Sequence, residues 1–195
     1  MNNGIKATSP LDNMATVHGE NIQISENSLH GKVTIRIDCD NKTITDKVKK
    51  IVGLEMPSAC TFNEDKNNRL IWIGPNELMF YCSIDKVDEY IVALKGALKS
   101  HHHAVVDVSD YYITLRLQGA SARALLNSEC PLDLHPSAFK KGDSAGTLFA
   151  HANILLNALD KNIFDIQVRW SFADYLMAHL ADGSKFYNIK ANIHG

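Results

Sequence analysis

A cysteine and a histidine stand close together in the sequence, in a pattern that would suit nucleophilic catalysis. They are the first and sixth residues of the segment Cys130-Pro-Leu-Asp-Leu-His-Pro136. A cysteine attacks as its thiolate, which forms when a histidine or a helix N-terminus lowers the pKa of the thiol. This segment is apolar, bounded by proline and free of a glycine-rich elbow. We therefore favour a packed loop over a nucleophile.

A second set of reactive side chains is acidic. Asp107 and Asp110 bracket Ser109 at the end of a predicted strand, where a general base and the group that orients it would fit. Aspartates at strand ends also accept hydrogen bonds from the backbone that follows, in Asx turns. We favour such turns, made onto Tyr111 and Tyr112, over an acid–base pair.

Histidine and cysteine are the usual metal ligands, and the chain has nine histidines and four cysteines. Three histidines, 101 to 103, directly follow a predicted helix. Adjacent side chains do not all reach one ion, whereas cationic histidine at a helix C-terminus is stabilised by the helix dipole. The cysteines are widely spaced and form no C-x-x-C pair, which favours reduced thiols over zinc ligands or disulfides. They are Cys39, Cys60, Cys82 and Cys130.

The common signatures of cofactor sites do not occur in the sequence. No G-x-x-x-x-G-K-[ST], G-x-G-x-x-G or H-E-x-x-H is present, so no phosphate loop, dinucleotide loop or zincin helix is indicated. Trp72 and Trp170 stand beside a predicted hairpin and a predicted helix start, where packing is favoured over ligand stacking. We predict no catalytic, cofactor-binding or metal-binding residue in this chain.

The composition is that of an ordinary globular protein. The 195 residues include 45% hydrophobic and 22% charged residues. A net charge of −2 and a pI near 6.5 give no overall field that would attract nucleic acid or an anionic membrane. No apolar run approaches the ~18 residues of a membrane span, and no apolar signal segment opens the chain. We expect a cytoplasmic protein that binds neither nucleic acid nor membranes.

The elements that would position these side chains form two similar series. In the first, alternation predicts a strand at 33–37, and helical spacing predicts a helix at 44–52 that ends at Gly53. A predicted hairpin then joins the strands 70–73 and 78–82, and an amphipathic helix is predicted at 84–99. In the second, strands at 105–108 and 113–117, a helix at 121–126 and strands at 146–150, 154–158 and 163–168 precede a helix capped by Ser171.

Short matches between the two series indicate an internal duplication. Val33-Thr-Ile-Arg-Ile37 resembles Ile113-Thr-Leu-Arg-Leu117, and Pro57-Ser-Ala59 resembles Pro136-Ser-Ala138, each about 80 residues later. We predict two repeated β-α-β-β-α units, at about 29–100 and 104–188. Together they would form one α+β domain at 29–188, with a mostly antiparallel sheet and helices packed on it. Residues 1–28 are polar and without period, which predicts either a mobile, disordered lead-in or an N-terminal arm that becomes ordered only on a partner.

Well over half of the chain resembles the γ subunit family of heterotetrameric sarcosine oxidases. The most specific match is Cys130-Pro-Leu-Asp-Leu-His-Pro136. The other matching segments are Trp72-Ile-Gly-Pro-Asn-Glu-Leu78, Val106-Asp-Val-Ser-Asp110, Leu115-Arg-Leu-Gln-Gly119, Ala124-Leu-Leu126, Phe139 and Val168-Arg-Trp-Ser-Phe-Ala-Asp-Tyr-Leu176.

The same stretch is similar, more faintly, to the folate-binding fold of the glycine-cleavage aminomethyltransferase. The similarity includes Asp107-Val-Ser109, Gly119 and the Ala-Leu-Leu helix. In that family an acidic pair opens the strand after the central hairpin turn. The corresponding residues here are Ala152 and Asn153, without a carboxylate, which argues against independent aminomethyl transfer.

The first resemblance implies a non-catalytic, structural γ subunit. The complex would oxidise sarcosine to glycine with release of H2O2, and its one-carbon unit would leave as 5,10-methylenetetrahydrofolate or formaldehyde. The implied partners are the α, β and δ subunits, and FAD, FMN, NAD, zinc and tetrahydrofolate would bind on those subunits and not on this chain.

Two alternatives remain open. One is a stand-alone folate- or pterin-binding protein that uses a pocket between the two repeated units. The other is a homo-oligomeric structural module without a ligand.

Overall fold

Alternating apolar residues form most of the strands, because each strand buries at least one face. The computed structural model describes residues 8–12, 16–27 and 30–188. The strands are β1 (Val17–His18), β2 (Gln23–Glu26), β3 (His30–Arg36), β4 (Phe62–Glu64), β5 (Arg69–Gly74), β6 (Glu77–Ser83), β7 (Ala104–Asp107), β8 (Tyr112–Gln118), β9 (Ser144–Phe149), β10 (Ala152–Asp160) and β11 (Ile163–Arg169).

All named strand pairs are antiparallel, and they form two sheets. Sheet one has five strands in the order β4-β5-β6-β3-β7. Sheet two has six strands in the order β1-β2-β8-β11-β10-β9. Antiparallel sheets combined with helices confirm the predicted α+β class.

Four helices connect these strands, namely α1 (Lys42–Val52), α2 (Val87–Leu98), α3 (Ala122–Glu129) and α4 (Ala173–Asn188). The side chain of Asn41 accepts from the first free backbone N–H groups of α1, and Gly53 ends this helix with φ 76°. The predicted stop at Gly53 is thereby confirmed. Short 3-10 turns, Ile84–Lys86 and Trp170–Phe172, lead into α2 and α4.

Buried side chains form three clusters, which define four layers. One cluster fills the space between sheet one and the helices α1 and α2, and another lies between sheet two and the helices α3 and α4. The third lies between the two sheets and includes Ile71 and Met79, with Leu155 packed against it. Each sheet therefore has helices on its outer face and the other sheet on its inner face.

The same order of elements occurs twice. Residues 30–98 form β3-α1-β4-β5-β6-α2, and residues 112–188 form β8-α3-β9-β10-β11-α4. Each series has three strands between its helices, one more than the predicted β-α-β-β-α unit. In the first series the additional strand is β4, whose three residues Phe-Asn-Glu are too few to show a period in the sequence.

The strand before each series belongs to the sheet of the other series. β2 precedes β3 in the chain but pairs with β8, and β7 precedes β8 but pairs with β3. Each sheet is therefore completed by a strand from the other part of the chain.

Part of the predicted N-terminal arm is a strand. Within residues 16–27, Ile22 and Ile24 are fully buried and β2 pairs with β8. The expectation of a disordered arm is wrong for this stretch, because two isoleucines flanking one glutamine make too short an alternation to recognise. The other residues of the arm, apart from 8–12, lie outside the described residues.

The start of α4 also differs from the prediction. Ser171 lies inside the 3-10 turn Trp170–Phe172 and not at a helix cap. Leu176 and Leu180, on the inner side of the helix, are fully buried, whereas Phe172 is 41% exposed. The 3-10 turn changes the rotation per residue, so Phe172 leaves the buried face.

Candidate functional site

A cleft of about 300 Å³ is lined by residues of both sheets and by the N-terminal segment 8–12. Strands β2, β3 and β8 contribute Glu26, Lys32 and Tyr112 to it, and the connection between β7 and β8 contributes Asp110. Trp170 lies at its edge in the 3-10 turn before α4. The cleft thus brings together two residues singled out in the sequence, Asp110 and Trp170.

The β7–β8 connection is fixed by a turn around Asp107. Its carboxylate accepts hydrogen bonds from the backbone N–H of Ser109 at 2.8 Å and from the Ser109 hydroxyl at 2.6 Å. The Ser109 Oγ in turn accepts from the Lys32 backbone N–H at 3.0 Å. An Asx turn therefore forms, but it is made onto Ser109 and not onto the two tyrosines as predicted.

Lys32 is the most buried charged residue of the cleft, with 4% of its surface exposed. Burial lowers the pKa of its ammonium group, and the nearby carboxylates of Glu26, Asp110 and Asp107 oppose that shift. Asp12 adds another carboxylate to the lining. Acidic groups outnumber the single lysine among the lining residues, so the cleft favours a positively charged occupant.

Cys130 lies in a packed loop, as predicted. Cys130 is 7% exposed, and its sulfur lies 3.7 Å from the hydroxyl of Thr147. His135 is exposed, with its Nδ1 2.7 Å from the hydroxyl of Ser137. The two side chains have different partners, and neither of these contacts activates the thiol.

Arg123 holds this loop in place, and nothing in the sequence singled it out. Its guanidinium donates to the backbone carbonyls of Leu134, Phe139 and Lys161, the last two at 2.9 and 2.8 Å. It also lies over the ring of Phe164, 4.9 Å from the centroid. An arginine among the apolar residues of a predicted helix indicates that its guanidinium has hydrogen-bond partners inside the protein. The sequence does not show that these partners are backbone carbonyls of a loop.

Thiol labelling separates these structural cysteines from a reactive one. Cys60 is exposed, whereas Cys82 and Cys130 are buried, and burial raises the pKa of Cys82 to about 11. We expect a disulfide reagent at mildly alkaline pH to modify Cys60 in the folded protein, and Cys82 and Cys130 only after unfolding. Mass spectrometry of the labelled protein, with Cys60→Ser as the control, measures this. Labelling of Cys130 as fast as Cys60 would contradict the packed loop.

The histidine row makes contacts of a different kind. His101 Nε2 lies 3.0 Å from Lys47 Nζ, and His103 Nδ1 lies 2.8 Å from the carbonyl oxygen of His101. Across residues 8–12, 16–27 and 30–188, no three His, Cys, Asp or Glu residues are placed to share a metal ion. Among the helices of the same residues, none is long and apolar enough to cross a membrane.

An ionic cluster joins the two sheets. Asp165 of β11 is 1% exposed and accepts from Arg69 of β5 at 2.9 Å and from Arg116 of β8 at 2.9 and 3.0 Å. Arg69 also pairs with Glu64 of β4 at 2.8 Å. Strand alternation places these side chains opposite the helix-facing residues. The sequence gives no sign that a second sheet covers that face.

The resemblance to the aminomethyltransferases implied that an acidic pair would correspond to Ala152 and Asn153. Ala152 begins β10 and is fully buried, and Asn153 is exposed beside it. Neither residue lines the cleft. The structure therefore places no carboxylate at either position.

The two-sheet fold is similar to that of a glycine-cleavage aminomethyltransferase. The aminomethyltransferase T from Bartonella henselae superposes with a TM-score of 0.62, at 12% identity over 86% of this chain and 47% of that one. More narrowly, the chain belongs to the sarcosine oxidase gamma subunit family, whose family model matches residues 36–185.

Two relatives illustrate this membership. Sarcosine oxidase subunit gamma of Corynebacterium sp. (strain U-96) is 28% identical over 132 residues, which is 67% of this chain and 63% of the relative. The match thus spans less than two thirds of that relative's length. A chain of the heterotetrameric sarcosine oxidase from Corynebacterium sp. U-96, in complex with pyrrole 2-carboxylate, superposes with a TM-score of 0.82 at 24% identity, over 90% of each chain.

Proposed function

We propose that this chain is the gamma subunit of a heterotetrameric sarcosine oxidase. The observation that carries the proposal is the family model, which matches residues 36–185. The shared fold with a chain of a heterotetrameric sarcosine oxidase supports it over 90% of both chains. The proposed partners are the α, β and δ subunits, and the proposed location is the cytoplasm.

The proposal includes a structural and not a catalytic role. Three sets of side chains in the sequence had the chemistry for catalysis or metal binding, and in each set one side chain is engaged in a local contact. Asp107 fixes a turn, Cys130 packs near Thr147, and His101 contacts Lys47. These contacts explain why the three residues are present without assigning any of them to a reaction. They therefore support the proposal that the chemistry takes place on the other subunits.

The proposed complex oxidises sarcosine to glycine and releases H2O2. Its one-carbon unit leaves as 5,10-methylenetetrahydrofolate or as formaldehyde. FAD, FMN, NAD, zinc and tetrahydrofolate are proposed to bind on the partner subunits.

Co-expression with the α, β and δ subunits of the same organism tests this proposal. A tagged copy of the chain is expected to elute together with flavin-bearing subunits, and the eluate is expected to produce peroxide only when sarcosine is added. Flavin absorbance and a coupled peroxidase assay measure the two results. If the tagged chain elutes alone under mild salt, it is not a subunit of this complex.

A second candidate is a folate- or pterin-binding protein. The cleft of about 300 Å³ favours it, because it is lined by both sheets of an aminomethyltransferase-like fold. That volume lies at the lower end of the range for small-molecule sites. Isothermal titration of the isolated chain with tetrahydrofolate tests this candidate, and the absence of both heat and a thermal shift would remove it.

A further inference from the structure

Of the eight large apolar side chains that are exposed on the described residues, four belong to the cleft lining or to the turns beside it. Ile84 and Trp170 line it and are 42% and 48% exposed. Tyr111 is 49% exposed, and its carbonyl accepts from the Trp170 backbone N–H at 2.9 Å. Phe172, in the same 3-10 turn as Trp170, is 41% exposed. We call these four residues the cleft rim.

The cleft rim has the composition of a protein interface. Isolated apolar residues are normal on a surface, but large exposed apolar patches mark sites of association. Three of the four rim residues are aromatic, and aromatic side chains are enriched in interface cores. Two of the rim residues, Tyr111 and Phe172, do not line the cleft. A ligand inside the cleft would therefore leave them exposed. A protein partner would cover them.

The interior of the cleft determines which group that partner inserts. Asp12, Glu26 and Asp110 line it and carry three carboxylates, against the ammonium of Lys32. Lys32 is also the deepest of these groups, with 4% exposure, so a group entering from the surface meets the carboxylates first. Charge complementarity therefore requires a cation.

Arginine satisfies both features better than lysine. Its planar guanidinium stacks on aromatic rings and pairs with carboxylates through two hydrogen bonds. Trp170 and Tyr112 supply rings at the cleft, and Asp110 supplies a carboxylate. The same surface already shows this stacking, because the Arg169 guanidinium lies 5.7 Å from the ring centroid of Tyr111.

We propose that the cleft and its rim bind another subunit of the complex, and that an arginine of that subunit enters the cleft, stacks on Trp170 and pairs with Asp110. The inference rests on the proposed function and adds the surface and the anchoring chemistry. Arginine, tryptophan and tyrosine are the residues most enriched among interface hot spots. We therefore expect Trp170 and the arginine that pairs with Asp110 to contribute most of the binding energy of this surface.

Two variants with matched controls test the surface in the co-expressed complex. Trp170→Ala and Asp110→Lys are each expected to raise the dissociation constant about tenfold or more. Phe186→Ala is the control for an exposed aromatic, since Phe186 is 76% exposed near the end of α4. Asp46→Lys is the control for charge reversal, on the outer helix α1. Both controls are expected to bind like the wild type, and unchanged thermal midpoints show that all variants fold.

The outcomes separate the inference from the function on which it rests. If the wild type assembles and the two cleft variants assemble equally well, the inference is overturned and the subunit assignment stands. If the wild type does not assemble with the α, β and δ subunits, both are overturned. A weakening confined to the cleft variants supports both.

A small-molecule site is an alternative outcome with its own readout. Trp72→Phe leaves Trp170 as the single tryptophan, so its fluorescence reports on the cleft. Addition of the partner subunits is expected to shift that emission, whereas N-acetylarginine amide alone is expected to have no saturable effect at micromolar concentrations. Saturable micromolar binding of the amide would identify a ligand pocket and overturn the assignment to a protein partner.

Discussion

Replacing Asp165 by alanine is expected to lower the free energy of unfolding by about 3–5 kcal/mol. Asp165 is 1% exposed and pairs with Arg69 of sheet one and Arg116 of sheet two. Without the carboxylate, the side chain of Arg69, which is 12% exposed, retains a single carboxylate partner among the described residues, Glu64. The cost arises mainly from the arginine charges left between the sheets and not from the net value of the pair.

Urea unfolding measures this loss, with Asp182→Ala as the control. Asp182 pairs with Lys185 at 2.8 Å, but both side chains are largely exposed, at 80% and 75%. Exposed pairs of this kind contribute little, so the control is expected to unfold at the wild-type urea concentration. If Asp165→Ala behaves like the control, the inter-sheet cluster does not stabilise the fold.

Gly119→Ala is expected to destabilise the protein by about 3 kcal/mol, from backbone strain and a steric clash together. Gly119 has φ +130°, and a Cβ atom there would lie 2.2 Å from the carbonyl oxygen of Asn21. The clash would push away the segment that leads into β2. This displacement would expose Ile22 and Ile24 to solvent. We therefore expect faster proteolysis near β2 as well as a lower midpoint in urea.

Gly142→Ala separates the two causes. Gly142 also has a positive φ, of +93°, but its Cβ would meet nothing within 4 Å. Only the strain remains, and the expected cost is about 1–2 kcal/mol. Equal losses for the two variants would mean that the close approach of residues 21 and 22 contributes nothing.

Local patterns predicted most of the fold because they act over a few residues. The alternation at 33–37, the helical spacing up to Gly53 and the hairpin at 74–77 all rest on contacts between near neighbours. The strands that escaped prediction are short. β4 has three residues and β2 has four, and neither is long enough to establish a period.

The candidate site was harder to predict because its parts are distant in the sequence. Asp110 and Trp170 were recognised individually, but Glu26 came from a segment expected to be disordered. Lys32 directly precedes the strand predicted at 33–37, and no sequence pattern singled it out. Its burial depends on sheet two, which covers the inner face of sheet one. A pattern within one strand contains no information about what covers its second face.

The crossed strands β2 and β7 impose an order on folding during synthesis. Sheet one gains its edge strand β7 only when residues 104–107 have been made, after the rest of that sheet. β2 is synthesised early, yet its partner β8 ends at Gln118. Ile22 and Ile24 therefore remain unpaired with β8 until more than ninety further residues have left the ribosome. Throughout that interval the nascent chain exposes an apolar segment that has not paired with β8. Late pairing of this kind is slow and favours aggregation.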